Sequence, residues 1–476
     1  MITCELLVIG SGPAGKRAAI QAAKWGKKVY VIEKNSEVGG VTVHTGTIPS
    51  KTLRETVLNL SGWRERAFYG RSYRVKNDIT ADDLRQRMDI TLNHEVDTLE
   101  HQFARNNVNI VYGVAHFVSA DVVEVELEAG EKQQYKASRI LVATGTDPYR
   151  PGDIPFDDVC IIDSDDILKI KQVPKSLTII GAGVIGVEYA TIFSALDVKV
   201  TLVEPRDTML DFIDRELIDD LMHQMRDCGV SMRFGQKVKS VGLEGSGSAV
   251  ELENGRMIYS EVTMFAAGRI GNTESLKLEN CGLEADSRGR LSLADANSFQ
   301  TAVPHIYAAG DVIGFPSLAS TSMEQGRLAV FHAFDKDAFA YSAPDYFPYG
   351  IYSVPELSTV GMSEEEVVER GIAFESGICR FRETSRGQIM GLDHGMMKLI
   401  FSMKTRRLLG AHILGEGATE LIHIGQAVLN LKGTLDYFVE NTFNYPTLAE
   451  AYKVAALDAW NKMPQGVAGK SQQQTD

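Results

Sequence analysis

Leu6-Leu7-Val8-Ile9-Gly10-Ser11-Gly12-Pro13-Ala14-Gly15 is an apolar run followed by three glycines, the pattern of a buried strand that turns into a helix. The first glycine permits the tight turn, the second lets a pyrophosphate approach the backbone, and the third lets the helix pack on the strand. The helix end then offers its free N–H groups, with roughly half a positive charge, to the phosphates. Leu177-Thr178-Ile179-Ile180-Gly181-Ala182-Gly183-Val184-Ile185-Gly186 repeats the pattern later in the chain. One such motif alone reads equally well as a glycine-rich turn. Here each copy also closes its second strand with an acid at matched spacing: Glu33 after Val29-Tyr30-Val31-Ile32 and Glu204 after Val200-Thr201-Leu202-Val203. A carboxylate there accepts hydrogen bonds from an adenosine ribose. Strand, glycines, helix and acid, all present twice, predict an α/β chain with two Rossmann-like dinucleotide-binding domains.

The rest of the composition narrows the class. At 476 residues with 44% hydrophobic content, the chain is long enough for two to four domains with substantial cores. A net charge of -14 argues against nucleic acid as a partner. No apolar stretch is long enough to span a bilayer, and the N-terminus lacks a basic leader, so a cytoplasmic protein away from membranes is expected. The five cysteines, Cys4, Cys160, Cys228, Cys281 and Cys379, are scattered without metal-ligand spacing, which predicts reduced structural thiols. His412 and His423 read as core or interface residues, and no metal is expected.

Gly39-Gly40-Val41-Thr42-Val43-His44-Thr45-Gly46-Thr47-Ile48-Pro49-Ser50-Lys51 resembles the GG-x-C-x-x-x-G-C-I-P-S-K redox motif of the class I flavoprotein disulfide reductases, a family of pyridine nucleotide-disulfide oxidoreductases. Threonine stands at both cysteine positions. A hydroxyl cannot form a disulfide or hold two electrons as a dithiol. Near the other end, Asn441-Thr442-Phe443-Asn444-Tyr445-Pro446-Thr447-Leu448-Ala449-Glu450 resembles the family's H-P-T-x-x-E segment, with Tyr445 in place of the catalytic histidine and Glu450 retained. A phenol with a pKa of about 10 is a poor proton shuttle for thiols at neutral pH. The two losses fall in one mechanism, and together they argue that this chain reduces no disulfide substrate.

The resemblance assigns the first motif to FAD, with Gly10, Gly12, Gly15 and Glu33, and the second to a nicotinamide coenzyme, with Gly181, Gly183, Gly186 and Glu204. It implies an FAD-binding domain over residues 1–150 that resumes over 281–345, an NAD(P)-binding domain over 151–280, and an α+β dimerisation domain over 346–464. The polar stretch 465–476 reads as a disordered tail. Thr144 and Gly145 close a strand that leaves the FAD domain, and Gly268 closes the matching strand of the second domain. Asp311 falls where an aspartate bonds the ribityl chain, and the helix that begins at Ala319 is expected to face the flavin ring. Thr42 and Ala115 are further expected flavin contacts. Lys51 is expected beside flavin N5, paired with Glu188. The resemblance implies that Tyr445 and Glu450 reach the partner subunit's flavin, whereas Glu450, without the histidine it would orient, reads rather as a structural residue.

Three stretches, Gly46 to Lys51, Asp311 to Ser320 and Phe443 to Tyr452, look like the members of the family that move hydride between NADPH and NAD+ by a ping-pong cycle, as homodimers or larger homo-oligomers. Such members can keep a cysteine at the position of Thr42. Glu204 suits the free 2′-hydroxyl of NAD and repels the phosphate of NADP, whereas Arg206 is the nearest cation to receive that phosphate and reads equally as a solvated charge. If Glu204 dominates, the alternative is an NADH dehydrogenase or diaphorase that delivers electrons to a quinone or oxygen. A non-enzymatic flavoprotein is a third class, and retention of Lys51 and Glu188 counts against it.

Overall fold

In the computed structural model, which describes residues 1–70, 72–335 and 346–463, the first apolar run becomes the strand Ile2–Ile9. It lies between Val29–Glu33 and Lys132–Val142, parallel to both, so its side chains are covered on two faces and a continuous apolar run is required. Asn109–Ser119 extends this sheet beyond Val29–Glu33, and Ile306–Ala308 extends it beyond Lys132–Val142. Val122–Leu127 completes an antiparallel meander between Asn109–Ser119 and Lys132–Val142.

Helix Pro13–Lys24 buries Ala14, Ala18, Ala19 and Ala22, small residues that allow close packing. Helix Ala319–Ala333 packs against it through Gly326, where a Cβ would lie 2.1 Å from the Ala14 carbonyl oxygen. The contact brings the starts of two helices toward the same end of the sheet. The long helix Ala81–Arg105 also belongs to this unit and begins in a capping box between Thr80 and Asp83.

The second motif repeats the plan. Ser176–Ile180 lies between Lys199–Glu204 and Val262–Phe265, with Ser231–Phe234 and Ile161–Asp163 at the edges, all parallel. A three-stranded antiparallel sheet, Val238–Glu244, Gly247–Leu252 and Met257–Ser260, is inserted before Val262–Phe265. Helix Val184–Ala195 is buried along its whole length from Gly186 to Ala195, because it is covered by more than its own sheet.

The last unit is an antiparallel five-stranded sheet, ordered Tyr349–Ile351, Leu357–Gly361, Leu408–Leu414, Met396–Ser402 and Phe374–Arg380. Met396–Ser402 and Leu408–Leu414 pair as its central antiparallel hairpin. Helices Ala418–Asn430 and Glu450–Lys462 cover it.

Two buried charged groups fasten this unit to the others. Arg54 donates from Nε to the Ser353 carbonyl at 2.9 Å and pairs with Glu356 at 3.3 Å. Lys398, in the middle of a central strand, pairs with Asp214 at 2.9 Å and with Glu216 and Glu364 at 3.2 Å. Among the described residues no helix is long and apolar enough to cross a membrane. The stretch read as a tail, 465–476, lies outside the described residues.

Candidate functional site

A cavity of about 720 Å³ opens at the carboxyl ends of Ile2–Ile9 and its neighbours, where open α/β sheets place ligands. Gly10, Gly12, Glu33, Ala115, Thr144 and Gly145 line it from the sheet side. Thr42, Thr47, Asp311 and Ala319 line it from the surrounding elements. Gly15 does not line it. Its role is packing, since a Cβ there would lie 1.9 Å from the Gly10 carbonyl oxygen. At Gly12 a Cβ would meet nothing within 4 Å, so this backbone borders open space. Neither helix Pro13–Lys24 nor helix Ala319–Ala333 has a side-chain cap, which leaves first-turn N–H groups for a ligand.

The wall also carries two carboxylates and a free hydroxyl, groups that can bond hydroxyls of a ligand. Glu33 is buried, and its Oε2 accepts from the Ser11 amide at 3.1 Å and the Ser11 hydroxyl at 2.5 Å, while Oε1 accepts from the Asn35 amide at 3.0 Å. Thr144 Oγ1 is buried in the wall with no protein partner, a donor and acceptor left for a ligand. Burial pushes the Asp311 carboxyl above the ordinary aspartate range, with Arg269 pulling the other way.

The second motif is wired in the same way. Glu204 is buried, its Oε2 accepts from the Ala182 amide at 2.7 Å, and its Oε1 accepts from the Arg206 amide at 3.2 Å. The acid and the residue after the first glycine are 22 positions apart in both copies. Gly183 borders open space as Gly12 does, and a Cβ at Gly186 would lie 1.9 Å from the Gly181 carbonyl oxygen. Gly181 and Gly268 hold positive φ at the two strand ends. One difference stands out: Arg206 folds its guanidinium onto Glu204, with Nε 2.9 Å from Oε1. Burial works to raise the Glu204 pKa, but the Arg206 guanidinium and the two amides hold it below the ordinary glutamate value.

Lys51 and Glu188 form an ion pair, with Nζ 2.8 Å from each carboxylate oxygen. Lys51 comes from helix Thr47–Leu60 and Glu188 from helix Val184–Ala195. A third element completes the group: Tyr352 donates its backbone N–H to Glu188 Oε1 at 2.9 Å, and its ring lies 4.8 Å from Lys51 Nζ. The sequence reading missed Tyr352. A backbone amide leaves no residue-type signal, so no motif search finds it.

Thr42 lies in the short helix Gly40–His44 and Thr47 begins the next helix, and both residues line the cavity. None of the five cysteines lines that cavity, and all are free thiols. Tyr445 is exposed, with its hydroxyl 2.5 Å from the Ser385 hydroxyl. Glu450 opens helix Glu450–Lys462 with Oε2 buried and without a protein partner. Within one chain neither residue lines the cavity. His412 is buried and bonded to Thr359 and the Met362 carbonyl, and His423 bonds Gln426. Among the described residues no group of three or more His, Cys, Asp or Glu side chains is placed to hold a metal.

Comparison with known proteins extends these findings. Residues 4–326 match the family model described as pyridine nucleotide-disulphide oxidoreductase, and residues 347–456 match that family's dimerisation domain. A protein of Mycobacterium tuberculosis named soluble pyridine nucleotide transhydrogenase is 49% identical over 460 residues, covering 96% of this chain and 97% of the relative. A protein of the same name from Salmonella enteritidis PT4 is 41% identical over 462 residues, covering 96% and 98%. Among solved structures, the Cu(II) complex of the HOCl-induced flavoprotein disulfide reductase RclA of Escherichia coli superposes with a TM-score of 0.87 at 26% identity, covering 96% of this chain and 99% of that one. LpdA of Mycobacterium tuberculosis shares the fold, with a TM-score of 0.86 at 24% identity and coverage of 95% and 99%.

Proposed function

The chain belongs to the pyridine nucleotide-disulphide oxidoreductase family, and from that premise we propose that it transfers hydride between NADPH and NAD+ through bound FAD, with no disulfide in the path. The observation that carries this reading is the pair Thr42 and Thr47 in the cavity wall, where the family's redox motif has cysteines. The curated relatives are named transhydrogenases, which does not favour the dehydrogenase alternative. Enzyme class and coenzymes follow from the family: a flavoprotein oxidoreductase that uses FAD, NAD(H) and NADP(H).

The residues fit FAD. The open backbone at Gly12, the uncapped start of helix Pro13–Lys24, buried Glu33 and the unpartnered Thr144 hydroxyl suit a pyrophosphate, a ribose and a polar linker. Bound there, FAD supplies a carrier that accepts a hydride from one nicotinamide ring and returns it to another.

The chain's own residues have four tasks. Gly12 and Gly183 admit the two pyrophosphates. Glu33 and Glu204 hold ribose hydroxyls, and Arg206 offers a cation to a 2′-phosphate. Lys51 keeps a positive charge beside the path of the hydride, and Glu188 offsets the cost of burying it. The start of helix Ala319–Ala333 adds a second positive end at the cavity.

The chain works as a homodimer or larger homo-oligomer through its dimerisation domain, and Tyr445 and Glu450 are proposed to meet the partner's flavin there. Glu450 Oε2, buried without a partner, supports a contact supplied by a second subunit. The division of the chain at residues 150, 280 and 345 is proposed with it. Cytoplasmic residence is part of the same proposal, supported by the relatives' designation as soluble enzymes and by five free thiols.

Stopped-flow mixing tests the function. NADPH should bleach the bound flavin under anaerobic conditions, and NAD+ added next should restore its colour faster than a quinone does. Flavin that NADPH leaves oxidised, or that only a quinone reoxidises, would defeat the proposal.

A further inference from the structure

The two acid sites share the same backbone wiring, so their side chains can be aligned one against one. Asn35 donates its amide to Glu33, and Arg206 donates its amide to Glu204 from the equivalent place. The nicotinamide site therefore differs from the FAD site by a guanidinium where the other has a neutral amide. That guanidinium has two holders. Nε and Nη2 face Glu204 at 2.9 and 3.3 Å, and Nη1 faces Asp211 Oδ2 at 2.8 Å.

The two holders are unequal. Glu204 is buried and anchored by the Ala182 amide, so it stays in place as a ribose acceptor. Asp211 lies on the connection to helix Arg215–Asp227, with its side chain 53% exposed and that of Arg206 45% exposed. An ion pair that open to water is weak and easily exchanged. A phosphate monoester, with charge near -2 and two oxygens that can meet the planar guanidinium fork, is the stronger partner.

We propose that Asp211 is a positioning residue for coenzyme choice: it holds Arg206 on Glu204, and the 2′-phosphate of NADP(H) takes the guanidinium edge from Asp211 while NAD(H) leaves it there. In the held state Arg206 lowers the negative charge that Glu204 presents to an arriving phosphate. In the exchanged state Glu204 still holds a ribose hydroxyl. One site thus serves both coenzymes without rebuilding, and the exposed Asp211 sets the ratio between them. The inference rests on the nicotinamide role proposed for this motif.

The test uses the FAD-loaded enzyme and two adenosine fragments, 2′,5′-ADP and 5′-ADP, titrated by calorimetry. Asp211→Asn should tighten 2′,5′-ADP about two- to fivefold, the scale of one exposed ion pair, and leave 5′-ADP unchanged. Arg206→Gln should weaken 2′,5′-ADP about tenfold or more and erase the effect of Asp211→Asn in the double variant. An unchanged ratio of the two affinities in Asp211→Asn, or the same change with Arg206 absent, would overturn the inference while leaving the function intact. If the wild-type enzyme binds neither fragment, the coenzyme site itself is wrong and the inference falls with it.

Discussion

Lys51 Nζ lies 2.8 Å from both carboxylate oxygens of Glu188, across 137 residues of sequence. The pair joins a helix of the first Rossmann unit to a helix of the second, and the Tyr352 amide of the third unit caps the carboxylate at 2.9 Å. Glu188 is nearly closed off, whereas Lys51 keeps a quarter of its side-chain surface open. That asymmetry suits a cation whose free side serves a ligand, because the buried carboxylate offsets the desolvation of the ammonium.

Lys51→Met removes the cation and leaves a side chain of similar length. Flavin reduction by NADPH should slow by about tenfold or more, while NAD+ affinity changes by less than about threefold, because the charge acts mainly where charge develops. Stopped-flow reduction rates beside titrations with NAD+ itself separate the two effects. Equal losses in both would point to a binding role.

Gly12→Val and Gly15→Val should fail in different ways. The first places a side chain in open space where the pyrophosphate is expected, so the chain should fold but purify with little FAD. The second drives a Cβ to 1.9 Å from the Gly10 carbonyl and should reduce soluble yield. Bound flavin per subunit and circular dichroism of the two variants make the comparison.

Alkylation should leave turnover largely intact. Burial pushes the Cys4 thiol up to about 11, that of Cys379 up to about 12, and those of Cys160 and Cys281 upward, so these four carry little thiolate at neutral pH. Iodoacetamide treatment followed by assay and mass spectrometry checks this. Activity lost in step with one modified cysteine, with flavin still bound, would contradict a path free of thiols.

Asp214→Asn should lower stability at neutral pH by about 3 kcal/mol, the lower end for breaking a buried pair, since Glu216 and Glu364 remain on Lys398. Burial opposes the Asp214 charge, yet nearby His412, the Lys398 ammonium and the Glu364 amide hold its carboxyl below the ordinary aspartate value. A depressed carboxylate contributes stability that is complete above the unfolded pKa of about 4 and is lost as pH falls through the folded value. Thermal melts of the two proteins should therefore converge as the pH drops below about 4. A gap that stays constant into acid would show that the charge of Asp214 is not what stabilises the joint.

The glycines, the strand-ending acids and the two threonines in the redox frame were legible in the sequence, because turn and strand chemistry is local and a missing thiol is visible in a single letter. The pairing of Lys51 with Glu188 was reached only through likeness to a family, since nothing in either helix alone indicates the other. The Tyr352 amide and the Asp211 hold on Arg206 were not reached at all.

The sequence by itself determined that this chain builds two glycine-rich strand-to-helix turns and carries no dithiol beside the first. Only the tertiary structure decided which charges meet: Lys51 with Glu188 across two units, Asp214 with Lys398 across another joint, and Arg206 between a buried and an exposed acid. The physical reason is that a turn is specified by the backbone preferences of a few adjacent residues. An ion pair depends instead on where separate elements come to rest and how much water is left around each charge.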